Sequence, residues 1–295
     1  RAAGRTQAGG GRLIGAAVVD KPAGLTSHDV VRRVRRVVGS RAVGHTGTLD
    51  PFATGLLVVL IGRATRLARF VEAQPKTYLA TASLGTRTET DDLTGAPCGP
   101  LHPGTGVPAE VVRAALTGFA GTHEQRPPAY SAKHVDGERS YRLARRGEAA
   151  APRAVPVTVH RIELVSYSPP EVVFRATVGA GTYLRAIARD LGDRLGTGAH
   201  LTALRREAIG GLSVEDAVPL DELTPGAVRP ARAVLGHLPV RELDEAARVA
   251  VSHGRAVEAG DLAEGDVALV QGDELIAVAR AVDGWLKPSV VLGTP

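Results

Sequence analysis

The stretch from Gly44 to Leu57, GHTGTLDPFATGLL, constrains the fold more than any other in this chain. Gly44, Gly47 and Gly55 permit tight turns and close backbone approach, while Pro51 fixes its own φ and drives Asp50 toward extended geometry. The loop then enters an unbroken apolar run, Leu56 to Ile61 (LLVVLI), which reads as a strand buried on both faces. A stiff loop feeding a core strand therefore presents one carboxylate, Asp50. Most loop aspartates are solvated or close a turn. The surrounding Gly, His, Thr and Pro set this one apart.

At 295 residues, 44% of them hydrophobic, the chain has enough material for one large domain or two unequal ones. The apolar run at Leu56–Ile61 is far shorter than the ~20 residues of a membrane-spanning helix. The basic, Gly-rich opening RAAGRTQAGGGR, residues 1–12, lacks a clear cleavage site and reads as a flexible tail rather than a signal peptide. One cysteine, Cys98, cannot form an internal disulfide; this points to the cytoplasm and excludes a zinc site needing several thiolates.

Charge is unevenly placed. Residues 237–295 hold five Lys/Arg and ten Asp/Glu, a net of −5, so the total of +5 leaves +10 on residues 1–236. The basic part carries the pairs Arg32-Arg33, Arg35-Arg36, Arg145-Arg146 and Arg205-Arg206. Such clusters suit a polyanion such as nucleic acid, although arginines also solvate helices in an Ala/Arg-rich composition.

Hydrophobic periodicity predicts a strand over 13–19 and a helix beginning at Thr26 or Ser27, with Val30, Val31, Val34, Val37 and Val38 on one face. Further expectations are a strand over 56–61, a helix near 64–73, a strand over 76–84 and an acidic turn-rich loop over 88–95. A helix over 108–118, a strand over 172–178 and a helix over 182–195 follow. Residues 124–156 are long, basic and Pro-flanked, the profile of a protruding functional segment. After a linker, short strands (DVALVQ, LIAVARAV, WLKPSVVL) separated by Gly272-Asp273 and Asp283-Gly284 form a small β module. The irregular alternation of strands and helices implies α+β, with a mixed, mainly antiparallel sheet and flanking helices.

Three more segments carry candidate chemistry. Tyr78 is one of five tyrosines in a chain with 3% aromatics, and it suits either core packing or stacking. Arg185 follows the Gly181 break at a helix start; it is either a surface residue or a guanidinium aimed at a carboxylate. Leu204 lies in GAHLTALRREAIG, whose spacing reads as an ordinary amphipathic helix.

Together the segments KPAGLTS, GHTGTLDPFATGLL, KTYLATASLGTRTETDD, RPPAYSA with GERSYRLARRG, and GTYLRAIARDLG with GAHLTALRR resemble the TruB family of tRNA pseudouridine synthases. The resemblance implies a catalytic domain over 13–225, with 124–156 as its protruding RNA-binding segment, and a PUA-like β-barrel module over 237–295. It implies action on uridine 55 in the T-arm of tRNA, by a monomer, with no cofactor or metal. On the matched motifs Asp50 is the catalytic aspartate, Tyr78 the aromatic beneath the target uracil, and Arg185 the ion partner of Asp50. His45 fills the space left by the extruded base, Leu204 presses on the uracil, and Asp92 lies near the target site. Lys21, Tyr183 and Lys133, the last followed by His134, are further substrate-binding positions.

The residues suit that chemistry on their own terms. Isomerising uridine breaks a glycosidic bond and rejoins the base through carbon, with no net redox change and no added group. A carboxylate serves as nucleophile or base, and an aromatic face with an apolar wall receives a flipped base. Rival readings are a non-catalytic RNA-binding protein and a different RNA-modifying enzyme. A zinc deaminase lacks its cysteines here, and GGGRLIG precedes a strand instead of forming a dinucleotide-binding turn.

Overall fold

The computed structural model describes residues 13–130, 134–135, 138–139 and 152–293. The basic opening and Lys133 lie outside them. The chain divides into two compact units: the described parts of residues 1–51, 55–72 and 210–295, and those of residues 52–54 and 73–209.

In the first unit, β1 (Gly15–Lys21) pairs antiparallel with β3 (Thr54–Ile61), Gly15 opposite Ile61 and Lys21 opposite Gly55. The short β2 (Val43–His45) also pairs with β3, and Val218–Pro219 adds a parallel partner to β1. Helix α1 (Ser27–Val38) starts at the N-cap Thr26, whose hydroxyl accepts from the Asp29 amide while the Asp29 carboxylate accepts from the Thr26 amide. Val30, Val31 and Val34 pack on Ala17 and Val19 of β1 and on Leu57, Val59 and Ile61 of β3. From Gly55 onward every residue of β3 is buried, the burial predicted for the LLVVLI run.

The helix expected near 64–73 is two pieces: a 3-10 turn (Gly62–Leu67) followed by the short α2 (Ala68–Glu72). From that turn Arg63 donates to the carbonyls of Leu292 (3.2 Å) and Gly293 (3.4 Å), and Arg66 donates to that of Val291 (2.9 Å). These bonds fasten the end of the C-terminal module to the N-terminal part of the same unit.

In the second unit, β4 (Lys76–Leu84) is central. Helix α3 (Ala109–Thr117) precedes β5 (Gly121–Gln125), β6 (Val155–Ser168) and β7 (Glu171–Val178); helix α4 (Leu184–Arg194) and β8 (Ala199–Ile209) follow. The strands lie in the order β8-β4-β7-β6-β5, all antiparallel. Residues 124–125 and 155–156, read from sequence as the ends of a protruding segment, are paired strand residues: Gln125 faces Val155 and Glu124 faces Pro156.

The helix expected across GAHLTALRREAIG is instead strand β8. Its register against β4 slips between Leu201 and Ala203 and again between Arg206 and Ala208. Each bulge inserts one residue, so Ala199, Leu201, Leu204, Arg206 and Ile209 are the buried positions, spaced two, three, two and three apart. That mixture imitates a helical period.

Gly192 on α4 sits where the helix meets the start of β8. A Cβ there would lie 2.2 Å from the Ala199 nitrogen and 2.3 Å from the Gly198 carbonyl carbon, both backbone atoms. Alanine favours helix by about 1 kcal/mol over glycine, so Gly192→Ala tests which effect wins. The clash is expected to win, with a net loss of about 1–3 kcal/mol and a lower thermal midpoint; an unchanged or raised midpoint would show that the contact relaxes freely.

The C-terminal module comprises β9 (Val240–Glu242), α5 (Glu245–Ser252), β10 (Gly265–Gln271), β11 (Glu274–Val282) and β12 (Trp285–Val291). With Val257–Glu258 they make a five-stranded sheet over its own core, including Val251, Leu269, Ile276 and Leu286. No helix among the described residues is long and apolar enough to cross a membrane.

Candidate active site

In the first unit the residues on both sides of Asp50 are held through their backbone. The Leu49 amide donates to Ser27 Oγ (2.9 Å), and that hydroxyl donates back to the Leu49 carbonyl (3.3 Å). Thr26 serves as the helix cap, which leaves Ser27, 2% exposed, to hold this loop. On the other side the Pro51 carbonyl accepts from the Gly24 amide (2.7 Å) and from Lys21 Nζ (3.4 Å). Lys21 also donates to the carbonyls of Pro22 (2.9 Å) and Leu25 (2.7 Å), and it is fully buried.

Lys21, expected from its motif to bind substrate, is thus a buried brace of the Asp50 loop. Burying an ammonium is tolerated only with acceptors in place, and here they are backbone carbonyls. Gly47, at φ 121°, makes a turn that side-chain-bearing residues rarely adopt. Asp50 itself is half-buried. His45 ends β2, half-buried, its ring centroid 5.4 Å from that of His28 on α1.

In the second unit the antiparallel register puts Tyr78 directly opposite Arg206 and Leu204 directly opposite Ala80. Tyr78 and Leu204 are therefore diagonal neighbours on one sheet face. Both are buried, and so is Arg206, at 1% exposed. The first β8 bulge is what turns Leu204 to this face.

Arg185, in the first turn of α4, is buried. It donates from Nη1 to the Thr90 carbonyl (3.0 Å) and from Nη2 to the Tyr130 carbonyl (3.1 Å), and Nη1 stands 3.6 Å from Asp92 Oδ2. The surface alternative for Arg185 is therefore excluded. Asp92 is held in turn: Oδ1 accepts from Thr90 Oγ1 (2.7 Å), from the Thr94 amide (2.9 Å) and from Thr94 Oγ1 (2.5 Å). Tyr183, the N-cap residue of α4, is fixed through its backbone: its amide donates to Gln125 Oε1 (2.8 Å) and its carbonyl accepts from Gln125 Nε2 (3.2 Å).

The structure thus brings Lys21, His45 and Asp50 into one unit and Tyr78, Asp92, Tyr183, Arg185 and Leu204 into the other. Four contributors to this framework were not singled out from sequence: Thr90, Asp91, Gln125 and Arg189. Signals existed for two of them. Arg189 is four residues after Arg185 on a helix, and Asp91 adjoins Asp92, a spacing that lets two adjacent acids face two arginines one turn apart. Gln125 immediately precedes RPPAYSA, but nothing in the sequence says that its amide will grip Tyr183.

Asp91 pairs with Arg189 (Nη1 to Oδ2, 3.1 Å) and adopts a left-handed backbone, φ 59°. Burial raises its carboxyl above the ordinary 3.8, outweighing the lowering by Arg189 and Arg185. As pH falls from neutral through the folded-state value toward 3.8, the native form takes up a proton before the unfolded chain does. Wild type is thus expected to gain stability relative to Asp91→Asn over that window. A relative loss, read from denaturation curves at matched pH, would show that attraction to the arginines dominates.

The profile described as the TruB family pseudouridylate synthase N-terminal domain matches residues 35–184, and that of the tRNA pseudouridylate synthase B C-terminal domain matches residues 185–233. A protein named tRNA pseudouridine synthase B from Thermobifida fusca is 43% identical, covering 94% of this chain and 98% of the relative. Another of that name, from Arthrobacter sp., is 40% identical over 95% and 96%. Among solved structures, an H/ACA RNP bound to a substrate RNA containing 2'-deoxyuridine includes a chain with TM-score 0.73 and 25% identity, covering 95% of this chain and 85% of that one. A chain of an archaeal box H/ACA sRNP complex gives 0.71 and 26%, covering 95% and 86%. The fold is accordingly α+β of the pseudouridine synthase type, and the C-terminal sheet is PUA-like. A profile match across half of the chain, with relatives at 40% identity or more along nearly all of it, leads to one conclusion: this chain belongs to the TruB family of pseudouridylate synthases.

Proposed function

We propose that the chain isomerises uridine to pseudouridine at position 55, in the T-loop of tRNA, as a cytoplasmic monomer, with Asp50 as the catalytic carboxylate. The observation that carries this reading is the clamp on the Asp50 loop: the backbone of both neighbouring residues is held, Leu49 by the buried Ser27 and Pro51 by the buried Lys21 together with the Gly24 amide. A group held this way keeps one geometry through the reaction and loses little entropy on reaching the transition state.

The reaction breaks the bond from the sugar C1' to N1 of uracil, turns the ring, forms a bond from C1' to C5, and transfers the C5 proton so that N1 ends protonated. Asp50 acts in its ionised form, as nucleophile or as base. The target base must leave the loop first. Tyr78 supplies the face on which it rests and Leu204 the apolar wall beside it. His45 fills the space that the base vacates. Arg185 pairs with Asp50 and favours its charged form.

Phosphate contacts fall to the basic residues 1–236, whose excess charge makes binding steeply salt-dependent. The reading is tested with an isolated T-arm stem-loop. One uridine, that corresponding to position 55, is expected to be converted, and affinity to fall as salt rises. Conversion of several loop uridines, or of none while a different RNA is modified, would overturn the substrate assignment.

A further inference from the structure

Arg189 engages three groups through its three guanidinium nitrogens, with Nη2 also 2.8 Å from Asp190 Oδ1. Nε donates to Asp190 Oδ1 (2.8 Å), Nη1 to Asp91 Oδ2 (3.1 Å) and Nη2 to the Arg126 carbonyl (2.9 Å). One turn earlier on α4, Arg185 reaches the same two segments, at Thr90 and Asp92 on one side and at Tyr130 on the other. The loop around 90–92 and the segment 126–130 are thus each held twice, four residues apart along one helix. The Asp91 carbonyl also accepts from the Leu201 amide (3.0 Å), which ties this loop to β8, the strand that carries Leu204.

We propose that Arg189 is a positioning residue for the reaction, setting where the Arg185 guanidinium lies by fixing both segments that Arg185 grips. The proposal rests on the reading of Arg185 as a partner of the catalytic carboxylate. Among the acceptors of Arg185 are two backbone carbonyls and the Asp92 carboxylate, none of which holds its place without its own loop. Arg189 anchors each loop within a few residues of those acceptors. Asp91, half-buried and in left-handed backbone, is the joint: its carboxylate meets Arg189, and its buried neighbour Asp92 faces Arg185. A lysine at 189 has one nitrogen and cannot serve the Asp91 carboxylate and the Arg126 carbonyl as the guanidinium fork does. A displacement of about 1 Å at a reacting group is enough to cost on the order of 100-fold in rate.

The test is a double-mutant cycle on the full chain with tRNA, using Arg189→Lys, Arg185→Lys and the pair, read as single-turnover rate and tRNA dissociation constant. Arg189→Lys is expected to slow conversion by about 10- to 100-fold, with binding changed by less than about threefold. In the Arg185→Lys background the same change should cost less than about threefold, because its effect passes through Arg185. Equal losses in both backgrounds, or a loss confined to binding, would overturn the proposal. Should Arg189→Lys fail to fold, Asp91→Asn replaces it in the cycle, since asparagine tolerates left-handed backbone. A wild-type chain that converts no uridine would overturn the functional reading instead. The crystal structure of Arg189→Lys, or of Asp91→Asn in its place, then decides. Retreat of Arg185 from the Tyr130 carbonyl supports the positioning role, and an unmoved Arg185 refutes it.

Discussion

Asp50→Asn is expected to abolish pseudouridine formation, on the order of 10⁴-fold or more in single-turnover rate, while tRNA affinity stays close to wild type. Asparagine has nearly the volume of aspartate, so the loop held through Leu49 and Pro51 should keep its shape. What is lost is the negative charge and the nucleophilic or basic oxygen. On the proposed reading, phosphate contacts are made elsewhere on the basic part of the chain, so binding should not follow activity down. Substantial product from Asp50→Asn would remove this residue from the chemistry. A matching collapse in affinity would make it a binding residue.

Arg185→Lys should be nearly as damaging, and for a different reason. The substitution keeps the charge, so it separates electrostatics from geometry. The buried guanidinium bridges the Thr90 carbonyl, the Tyr130 carbonyl and Asp92, and a single ammonium cannot serve all three. A buried acceptor left unmade costs about 1–3 kcal/mol. We expect a rate loss of about 100-fold or more, with a lower thermal midpoint but an unchanged far-ultraviolet spectrum. Near-normal turnover would reduce Arg185 to a general cation.

Much of this architecture was legible from sequence because it depends on local rules. The strand over 76–84 appears at the bounds its alternation predicts, and α1 begins at its Thr26 cap with the valine face turned inward. The hairpin turns of the C-terminal module fall at the predicted glycines, Gly272 and Gly284. Asp50 stood out because glycine and proline spacing is a statement about backbone, and backbone stiffness is encoded locally.

What was not legible depends on contacts between distant segments. The helical reading of GAHLTALRREAIG failed because two bulges stretch a period of two toward one of two and a half, and a bulge is set by the partner strand. Lys21 read from its motif as a substrate-binding position, and the three carbonyls around its ammonium come from segments that only the fold brings together. Gln125 and Arg189 are ordinary polar residues in sequence. Their importance arises from reaching Tyr183, Asp91 and the Arg126 carbonyl across tens of positions in the chain.

The central claim is that this chain, by itself, isomerises a uridine of tRNA through Asp50. Its most direct test is to incubate the desalted, chelator-treated full chain with unmodified tRNA and map pseudouridine along the product. The account predicts conversion at position 55 approaching one per tRNA, with none formed by Asp50→Asn under the same conditions. A folded wild-type chain that binds the tRNA and leaves every uridine unchanged would contradict it.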